Sequence, residues 1–385
     1  MPTKKIGVIL FLVISVTLLI IACSKNETGT EDPVANYLNL PAAPLNYSNP
    51  ALPFYLSAPP VQGQINTPTN NQITDFGATL GRVLFYDKTL SKNKTISCAS
   101  CHQQENAFSD LTVVSKGFDG GLTGRNSMSL IDAKYYPVGR FFWDQRAATL
   151  EQQVLMPIQD PVEMGLTPDE LVKRVKDQPY YPPLFTQAFG AGTINSDLIS
   201  KALSQFVRSI VSYQSKYDQG RSSFSGIQPP PPDAPFTNFT AQENRGKTIF
   251  LSPLGGCAPC HGSETFTAPE AKNNGLDATV TDPGFGAVAP IPANNGLFKV
   301  TSLRNVELTA PYMHDGRFAT LEQVVEHYNS GVKNHPNLSI QLKQPNGQPR
   351  LLNLSAADKA ALVAFLKTLT DRNVITDVKY SNPFK

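Results

Sequence analysis

The sequence contains the pentad Cys98-Ala99-Ser100-Cys101-His102, and a second pentad, Cys257-Ala258-Pro259-Cys260-His261, repeats its pattern. In a Cys-x-x-Cys-His motif, two thiols can bond to the vinyl groups of a haem while the adjacent histidine becomes an axial iron ligand. A zinc site of four cysteines would have to join pairs far apart in the chain and would leave both histidines unexplained. A thioredoxin-like redox pair would need no histidine. The two motifs therefore predict two covalently bound c-type haems.

Both motifs lie inside an internal repeat. Residues 81–85 and 246–250 form similar helix-like segments before the motifs. Further along, residues 143–152 align without a gap on residues 314–323, with seven of ten positions identical. Duplication of one haem-binding unit explains this match. We therefore expect a mainly α fold of two tandem cytochrome c-like haem domains with loop-rich connections.

Composition and turn residues suggest the domain limits. We assign residues 1–22 to a lipoprotein signal peptide, 23–71 to a tether and extended wrap, 72–228 to an N-terminal haem domain, 236–370 to a C-terminal haem domain and 371–385 to a tail that lies back on the first domain. The formal net charge is +2, without basic clusters, which argues against nucleic acid as a partner.

The N-terminus has the features of an export signal. A basic start is followed by an apolar run from residue 6 to residue 21 and then by Ala22-Cys23. The run is shorter than the ~20 apolar residues that usually span a bilayer, although an uncleaved membrane anchor is the alternative. Acylation of Cys23 would fix the protein to a bacterial membrane through a lipid anchor. Both interpretations place the body outside the cytoplasm, in the periplasm or at the cell surface.

The repeat also predicts a difference between the two haems. Tyr328 lies fourteen residues after His314, and the equivalent position after Trp143 is Pro157. Proline cannot bind iron, whereas tyrosine is a known axial ligand of haem. We expect an open first haem and a second haem with Tyr328 as its sixth ligand. The rival ligands for the second haem are Met313, His314, His327 and His335.

The residues resemble the bacterial di-haem cytochrome c peroxidases, and within them the MauG-like branch. The similarity runs from about residue 71 to the C-terminus. It depends on both pentads and on the stretches Phe142-Trp143-Asp144, Pro161-Val162-Glu163-Met164 and residues 309–316, which read Thr-Ala-Pro-Tyr-Met-His-Asp-Gly.

This resemblance implies roles for individual residues. The first haem would be peroxidatic with His102 as its proximal ligand, and the second would transfer electrons with His261 as its proximal ligand. Glu163 would be the distal acid–base residue with Gln153 beside it, and Trp143 would lie between the haems. The positions that hold a calcium ion in the family correspond here to Asn126, Thr309 and Pro311.

Two departures from the gated peroxidases favour the MauG-like branch. Members that need reductive activation carry a histidine in the loop before the Arg-Asn pair, and residues 115–124 contain none here. Those members also have methionine where this chain has Tyr328.

The leading expectation is a peroxidase that reduces hydrogen peroxide to water at the first haem. Electrons would enter through the second haem from a small c-type cytochrome or a cupredoxin. One alternative is a MauG-like oxidase that acts on a protein or organic substrate through a high-valent di-haem state. Another is a non-enzymatic di-haem electron-transfer protein, in which both irons would be six-coordinate. A homodimer is a possible assembly.

Overall fold

The computed structural model describes residues 32–226 and 229–385, so the predicted signal peptide and Cys23 lie outside the described residues. Within those two ranges, no helix combines the length and the apolarity needed to cross a bilayer. Regular structure there is helical, and extended segments pair only as isolated bridges. The expected mainly α fold is confirmed, whereas the exact domain limits stay a prediction.

The helices follow the two halves of the chain. The first half contains α1 (Phe54–Ser57), α2 (Asp75–Tyr86), α3 (Leu150–Gln153), α4 (Met156–Gln159), α5 (Pro168–Asp177), α6 (Tyr181–Phe189), α7 (Ser196–Ser209) and α8 (Lys216–Arg221). The second half contains α9 (Ala241–Leu251), α10 (Ala258–His261), α11 (Leu321–Glu326), a π-helical turn (His327–Gly331) and α12 (Ala356–Lys367). Short 3-10 turns occupy many of the connections, including Cys98–Ser100 in the first pentad.

Each half is built around one pair of crossing helices. In the first half α2 crosses α7, and a Cβ on Gly81 would lie 2.0 Å from the carbonyl oxygen of Ala202. In the second half α9 crosses α12, and a Cβ on Gly246 would lie 1.9 Å from the carbonyl oxygen of Ala361. Both distances are far below van der Waals contact, so only glycine permits either crossing. The repeat in the sequence is therefore also a repeat of the packing.

The N-terminal wrap and the C-terminal tail both lie on the first half. The Tyr47 hydroxyl donates to the backbone carbonyl of Lys379 at 2.7 Å. Arg82 of α2 is buried and donates through Nη1 to the same carbonyl and to the Tyr47 hydroxyl, at 3.2 and 3.1 Å. Arg82 of α2 therefore connects the segments 32–71 and 371–385 through hydrogen bonds.

A buried ionic cluster joins the two halves. Arg304 donates through Nη1 to both carboxylate oxygens of Asp218 at 2.9 Å, and its Nε lies 3.4 Å from Asp132 Oδ2. All three side chains are buried. Burial raises the pKa of Asp132 to about 7, although the charge of Arg304 acts in the opposite direction. A charged pair of this kind is costly to break, because removal of one partner leaves the other uncompensated.

Candidate active site

One cavity of about 700 Å³ lies between the two halves, and the histidines of both pentads line it. The other predicted site residues on its wall are Cys101, Cys257, Cys260, Trp143, Gln153, Glu163, Tyr328, Asn126, Thr309 and Pro311. Cys98 instead packs against the hydrophobic core of the first half. The fold therefore brings the predicted site residues to one place.

The two proximal histidines are held in the same way. His102 Nδ1 lies 3.0 Å from the carbonyl oxygen of Phe108, and His261 Nδ1 lies 2.8 Å from that of Phe266. A carbonyl can only accept, so Nδ1 carries the proton and Nε2 keeps a lone pair for a metal. Phe108 and Phe266 both adopt positive φ, 58° and 52°, which turns the backbone at these carbonyls. Burial lowers the pKa of both imidazoles, so the neutral form is favoured.

The cysteines of both pentads are free thiols. Burial is the largest influence on Cys98 and Cys101 and raises their pKa to about 12 and about 11. The charge of Glu163 acts on both thiols in the same direction, so this carboxyl lies close to the first pentad. Burial likewise raises the pKa of Cys257 to about 12.

The side chains near the first pentad come from α3, α4 and the turn that follows. Gln153 ends α3, whose first turn is capped by the Thr149 hydroxyl. Pro157 lies in the first turn of α4, where its missing N–H costs no helical hydrogen bond. Both residues line the cavity, and the side chain of proline has no atom that could bind iron.

Glu163 is half-buried and its backbone is held from two sides. Asp160 Oδ1 accepts from the amides of Val162 and Glu163, at 2.8 and 3.2 Å. The carbonyl oxygen of Glu163 accepts from the amide of Phe118 at 2.9 Å. Burial raises the pKa of the Glu163 carboxyl, the nearby Asp160 charge raises it further, and Arg146 lowers it. A carboxyl with a raised pKa can exchange protons closer to neutral pH than an exposed one.

The loop that lacks a histidine packs directly on this turn. Residues 115–124 form a hairpin in which Gly117 donates to the carbonyl of Gly121 and Thr123 to that of Ser115. A Cβ on Gly117 would lie 1.5 Å from the carbonyl oxygen of Val162, so glycine is required for the contact. The loop thus supports the Glu163 turn through backbone contacts.

Tyr328 also lines the cavity and belongs to the π-helical turn after α11. Burial raises the pKa of its phenol to about 12, a hydrogen bond from the Asn274 side chain lowers it, and the charges of Cys260 and Cys257 raise it. Because Tyr328 interacts electrostatically with both of these cysteines, it lies near the second pentad. The structure therefore places Tyr328 and Pro157 on the wall of one cavity, in different halves of the chain.

The rival ligands differ in how their side chains are engaged. His327 Nε2 lies 3.0 Å from the carbonyl oxygen of Asn274, and His335 Nδ1 accepts from the amide of Asn337 at 3.0 Å. Neither ring is part of the described cavity wall. His314 lines the cavity, but its ring is stacked on Phe298 with 3.8 Å between centroids. 

Met313 also lines the cavity, and its Sδ accepts a hydrogen bond from Asn274 Nδ2 at 3.4 Å. Asn274 therefore contacts both Met313 and Tyr328. Of the five candidate ligands, Met313, His314 and Tyr328 line the cavity, whereas His327 and His335 are not among its described lining residues.

Trp143 links the two halves. Its Nε1 donates to the carbonyl oxygen of Asn126 at 2.9 Å, and its ring centroid lies 6.4 Å from that of His314. Its own carbonyl accepts from the amide of Lys299 at 2.8 Å. The indole therefore lies between the first half and the segment that carries His314.

Asn126 has one polar atom, the side-chain oxygen Oδ1, that is not used in hydrogen bonds with the described residues and could bind a cation. Its amide N–H donates to the carbonyl of His314 at 2.8 Å, and its Nδ2 donates to the carbonyls of Thr112 and Val113. Its carbonyl accepts from Trp143. Oδ1 accepts no hydrogen bond from the described residues, and Asn126, Thr309 and Pro311 all line the cavity. Amide and carbonyl oxygens are ligands that Ca²⁺ accepts.

Sequence reasoning missed three polar residues of this site. Ser127 donates to the carbonyl of Cys101 at 2.7 Å, Asn274 contacts Tyr328, and Lys299 is buried on the cavity wall. Lys299 could have been recognised from the sequence, because it is the charged residue among apolar neighbours in Leu297-Phe298-Lys299-Val300. Ser127 and Asn274 belong to irregular segments without a periodic pattern.

Comparison with known proteins gives the family. The profile of the family described as di-haem cytochrome c peroxidase matches residues 76–223. The methylamine utilization protein MauG of Methylorubrum extorquens is 33% identical over 353 residues, which cover 90% of this chain and 89% of that protein. The chain belongs to the di-haem cytochrome c peroxidase and MauG family. Members of this family are di-haem oxidoreductases, so the chain is an enzyme of that class.

Other relatives carry both kinds of name. Cytochrome c551 peroxidase of Nitrosomonas europaea is 32% identical and covers 76% of this chain and 79% of that protein. A crystal structure of a MauG-like protein associated with microbial copper homeostasis superposes with a TM-score of 0.74 at 31% identity, covering 88% of this chain and 99% of that one. Family membership brings two c-type haems.

The residues present fit two such haems. Each pentad offers free thiols and a histidine whose Nδ1 is already bonded to a carbonyl, and the histidines line one shared cavity. This is the arrangement in which a histidine presents Nε2 to iron.

Proposed function

We propose that this chain is a di-haem peroxidase that reduces hydrogen peroxide to water, with electrons relayed through the second haem from a small c-type cytochrome or a cupredoxin. The observation that carries the proposal is the asymmetry of the cavity wall. The repeat aligns Pro157 of the first half with Tyr328 of the second, both residues line the cavity, and Glu163 interacts electrostatically with the first pentad whereas Tyr328 interacts with the second.

In this proposal Cys98, Cys101, Cys257 and Cys260 attach the haems, and His102 and His261 are the proximal ligands. Bound haem supplies the redox chemistry, and a haem without a sixth protein ligand can take a small molecule on its free face. Tyr328 would close that face at the second haem. Pro157 would leave it open at the first.

Glu163 would move the proton that peroxide reduction requires. Its carboxylate would accept a proton from one oxygen of hydrogen peroxide and return it to the other, which would leave as water. Two electrons from the donor protein and two protons from solvent would reduce the remaining oxygen to a second water. Gln153, on the same side of the cavity, would orient the peroxide by hydrogen bonding. Fixing the Glu163 backbone through Asp160 and Phe118 limits the freedom lost when the peroxide is positioned.

Trp143 would provide the route for electrons or holes between the haems, and a calcium ion would fix its surroundings. Asn126 Oδ1 and the backbone oxygens of Thr309 and Pro311 are the proposed ligands. The arrangement is supported by the Trp143 hydrogen bond to Asn126. Metal analysis of the purified protein should find one calcium per chain in the wild type and a loss in Asn126→Ala. Equal calcium in both would remove Asn126 from the site.

The test of the peroxidase proposal is steady-state turnover. The loaded protein is supplied with hydrogen peroxide and a reduced small c-type cytochrome, and oxidation of the cytochrome is followed. Repeated turnover, with two electrons consumed per peroxide, supports the proposal. Consumption of peroxide without oxidation of either a cytochrome or a cupredoxin donor contradicts it.

A second candidate is MauG-like oxidation of a protein or organic substrate. Three observations favour it: Tyr328 on the cavity wall, the absence of histidine in residues 115–124, and the similarity to MauG over most of the chain. It predicts that peroxide oxidises a co-purified or added substrate protein while a reduced cytochrome is turned over slowly. The non-enzymatic carrier gains no support from relatives that are enzymes.

We further propose an extracytoplasmic location and a lipid anchor at Cys23. The support is the sequence pattern of residues 1–23 and the covalent haem chemistry of both pentads. Mass spectrometry of the mature N-terminus should find an acylated Cys23. An unmodified N-terminus at residue 1 would contradict this. Sedimentation of the loaded protein would decide whether a homodimer forms.

A further inference from the structure

Lys299 is a buried cation on the wall of the cavity. Its backbone amide donates to the carbonyl of Trp143 at 2.8 Å, so the residue sits at the contact between the two halves. The side chain is 8% exposed and lines the cavity. Its Nζ lies 3.9 Å from the ring centroid of Tyr136 and 4.9 Å from that of Phe141.

Lys299 differs from the other buried cations of the described chain. The others donate hydrogen bonds to carboxylates, hydroxyls or carbonyls: Arg82 to Tyr47, Arg208 to Glu151, Arg221 to Glu264, Lys247 to the carbonyl of Pro232, and Arg304 to Asp218. Within residues 32–226 and 229–385, no carboxylate or hydrogen-bond acceptor pairs with the Lys299 ammonium. Its contacts there are with the faces of two aromatic rings.

A buried ammonium without an anion is unfavourable, and contact with two aromatic rings offsets only part of that cost. Burial lowers the pKa of Lys299 to about 7, because nothing described near it stabilises the charge. An anionic group inside the cavity would restore the charged form. The haems of this family carry propionate carboxylates, which are anions of the right size for a single ammonium.

We propose that Lys299 forms a carboxylate-binding subsite of the cavity and pairs with a propionate of one of the two haems. The inference rests on the proposed attachment of haem at both pentads. The ligand class is a haem carboxylate, and the experiment below identifies which haem supplies it.

The subsite exists in only one half of the repeat. When Arg125-Asn126 is aligned on Arg304-Asn305, the position of Lys299 corresponds to Gly120. Gly120 has no heavy atom near its Cβ position within 4 Å and lies in the exposed hairpin. A cation beside one propionate and not at the equivalent place of the other half raises the reduction potential of that haem more than that of the other. Lys299 is then a positioning and tuning residue rather than a catalytic one.

The test is a spectroelectrochemical titration of the loaded protein, with the two haems followed separately. In Lys299→Gln, the equilibrium constant for reduction of one haem should fall at least tenfold, which for a one-electron couple is about 59 mV. Lys299→Arg keeps the charge and should stay close to wild type. Lys247→Gln is the matched control, because Lys247 is also buried but is not among the described residues of the cavity wall. The haem whose potential moves is the one that supplies the carboxylate.

Potentials in Lys299→Gln that match those of Lys247→Gln at both haems would overturn the inference. If Lys299→Gln does not retain haem, a crystal structure of the loaded wild-type protein tests whether Lys299 pairs with a propionate. A propionate oxygen within about 4 Å of Nζ supports the pair, and its absence refutes it. Haem content is measured first by mass spectrometry. Fewer than two haems per chain would refute the proposed attachment itself, whereas two haems with unmoved potentials would refute only the role of Lys299.

Discussion

Replacement of Glu163 by glutamine should slow the reaction with peroxide and leave the fold intact. The contacts that hold residue 163 run through its backbone, to Asp160 Oδ1 and to the amide of Phe118, so they survive the change. Glutamine has nearly the same shape as glutamate but cannot take up the proton. Positioned general acid–base groups contribute about 10²–10⁴-fold to a rate. At 1.36 kcal/mol for each factor of ten, the expected loss is ~2.7–5.4 kcal/mol of transition-state stabilisation.

The assay is the second-order rate of the loaded ferric protein with hydrogen peroxide, measured by stopped flow across pH. The matched control is Glu105→Gln, which changes an exposed carboxyl that follows the first pentad and is outside the described cavity wall. It should react like the wild type. A rate for Glu163→Gln within about threefold of the wild type would refute the acid–base role, since that loss is far below the range for general catalysis.

The pH dependence of the rate with hydrogen peroxide provides a second test of the acid–base role of Glu163. The Asp160 charge raises the pKa of Glu163, so Asp160→Asn should lower it. If the carboxylate form is the active one, the rate falls as pH drops through this pKa. The acidic limb of the profile should therefore move to lower pH in Asp160→Asn, whose side-chain oxygen can still accept from the amide of Glu163. A limb that stays fixed or moves to higher pH would contradict the assignment.

Two further predictions concern stability. Gly246→Ala places a Cβ 1.9 Å from a backbone oxygen of α12 and should lower the free energy of unfolding by ~1–3 kcal/mol, whereas Gly192→Ala, with open space at its Cβ, should change it little. Urea unfolding followed by circular dichroism measures both, and equal stabilities would contradict the close crossing. Burial raises the pKa of Asp132 from 3.8 to about 7, so its contribution favours folding at low pH and is lost as pH rises from about 4 to 7. Asp132→Asn should remove that part of the decline, and an unchanged pH dependence in the variant would exclude the effect.

Most of the predictions made from the sequence depended on the two pentads and on the internal repeat. A pentad fixes its own chemistry locally, because two thiols and a histidine must lie within one turn to serve one haem. The crossing glycines Gly81 and Gly246 also sit at matching positions of the repeat. Their role nevertheless depends on α7 and α12, which lie more than a hundred residues further along. Sequence similarity between the halves is what made the shared helical architecture predictable.

The ionic cluster and the cavity lysine were not predictable in the same way. Arg304 forms ion pairs with Asp132 and Asp218, which lie in distant segments of the chain. No spacing pattern in the sequence predicts these pairs. Lys299 follows a bridge between Lys272 and Phe298, and its neighbours Tyr136 and Phe141 come from the other half. These contacts depend on how the halves are joined. Periodicity describes each half separately and contains no information about their contact.

In the proposed enzyme the two haems are unequal, because the first is open beside Glu163 and the second is closed by Tyr328. Electron paramagnetic resonance of the ferric protein tests it most directly, for the wild type, Tyr328→Phe and the rival-ligand control Met313→Leu. We expect one high-spin and one low-spin haem, with the low-spin signal altered in Tyr328→Phe and preserved in Met313→Leu. Two low-spin haems in the wild type would contradict the open site, and an unmoved low-spin signal in Tyr328→Phe would show that Tyr328 is not the ligand.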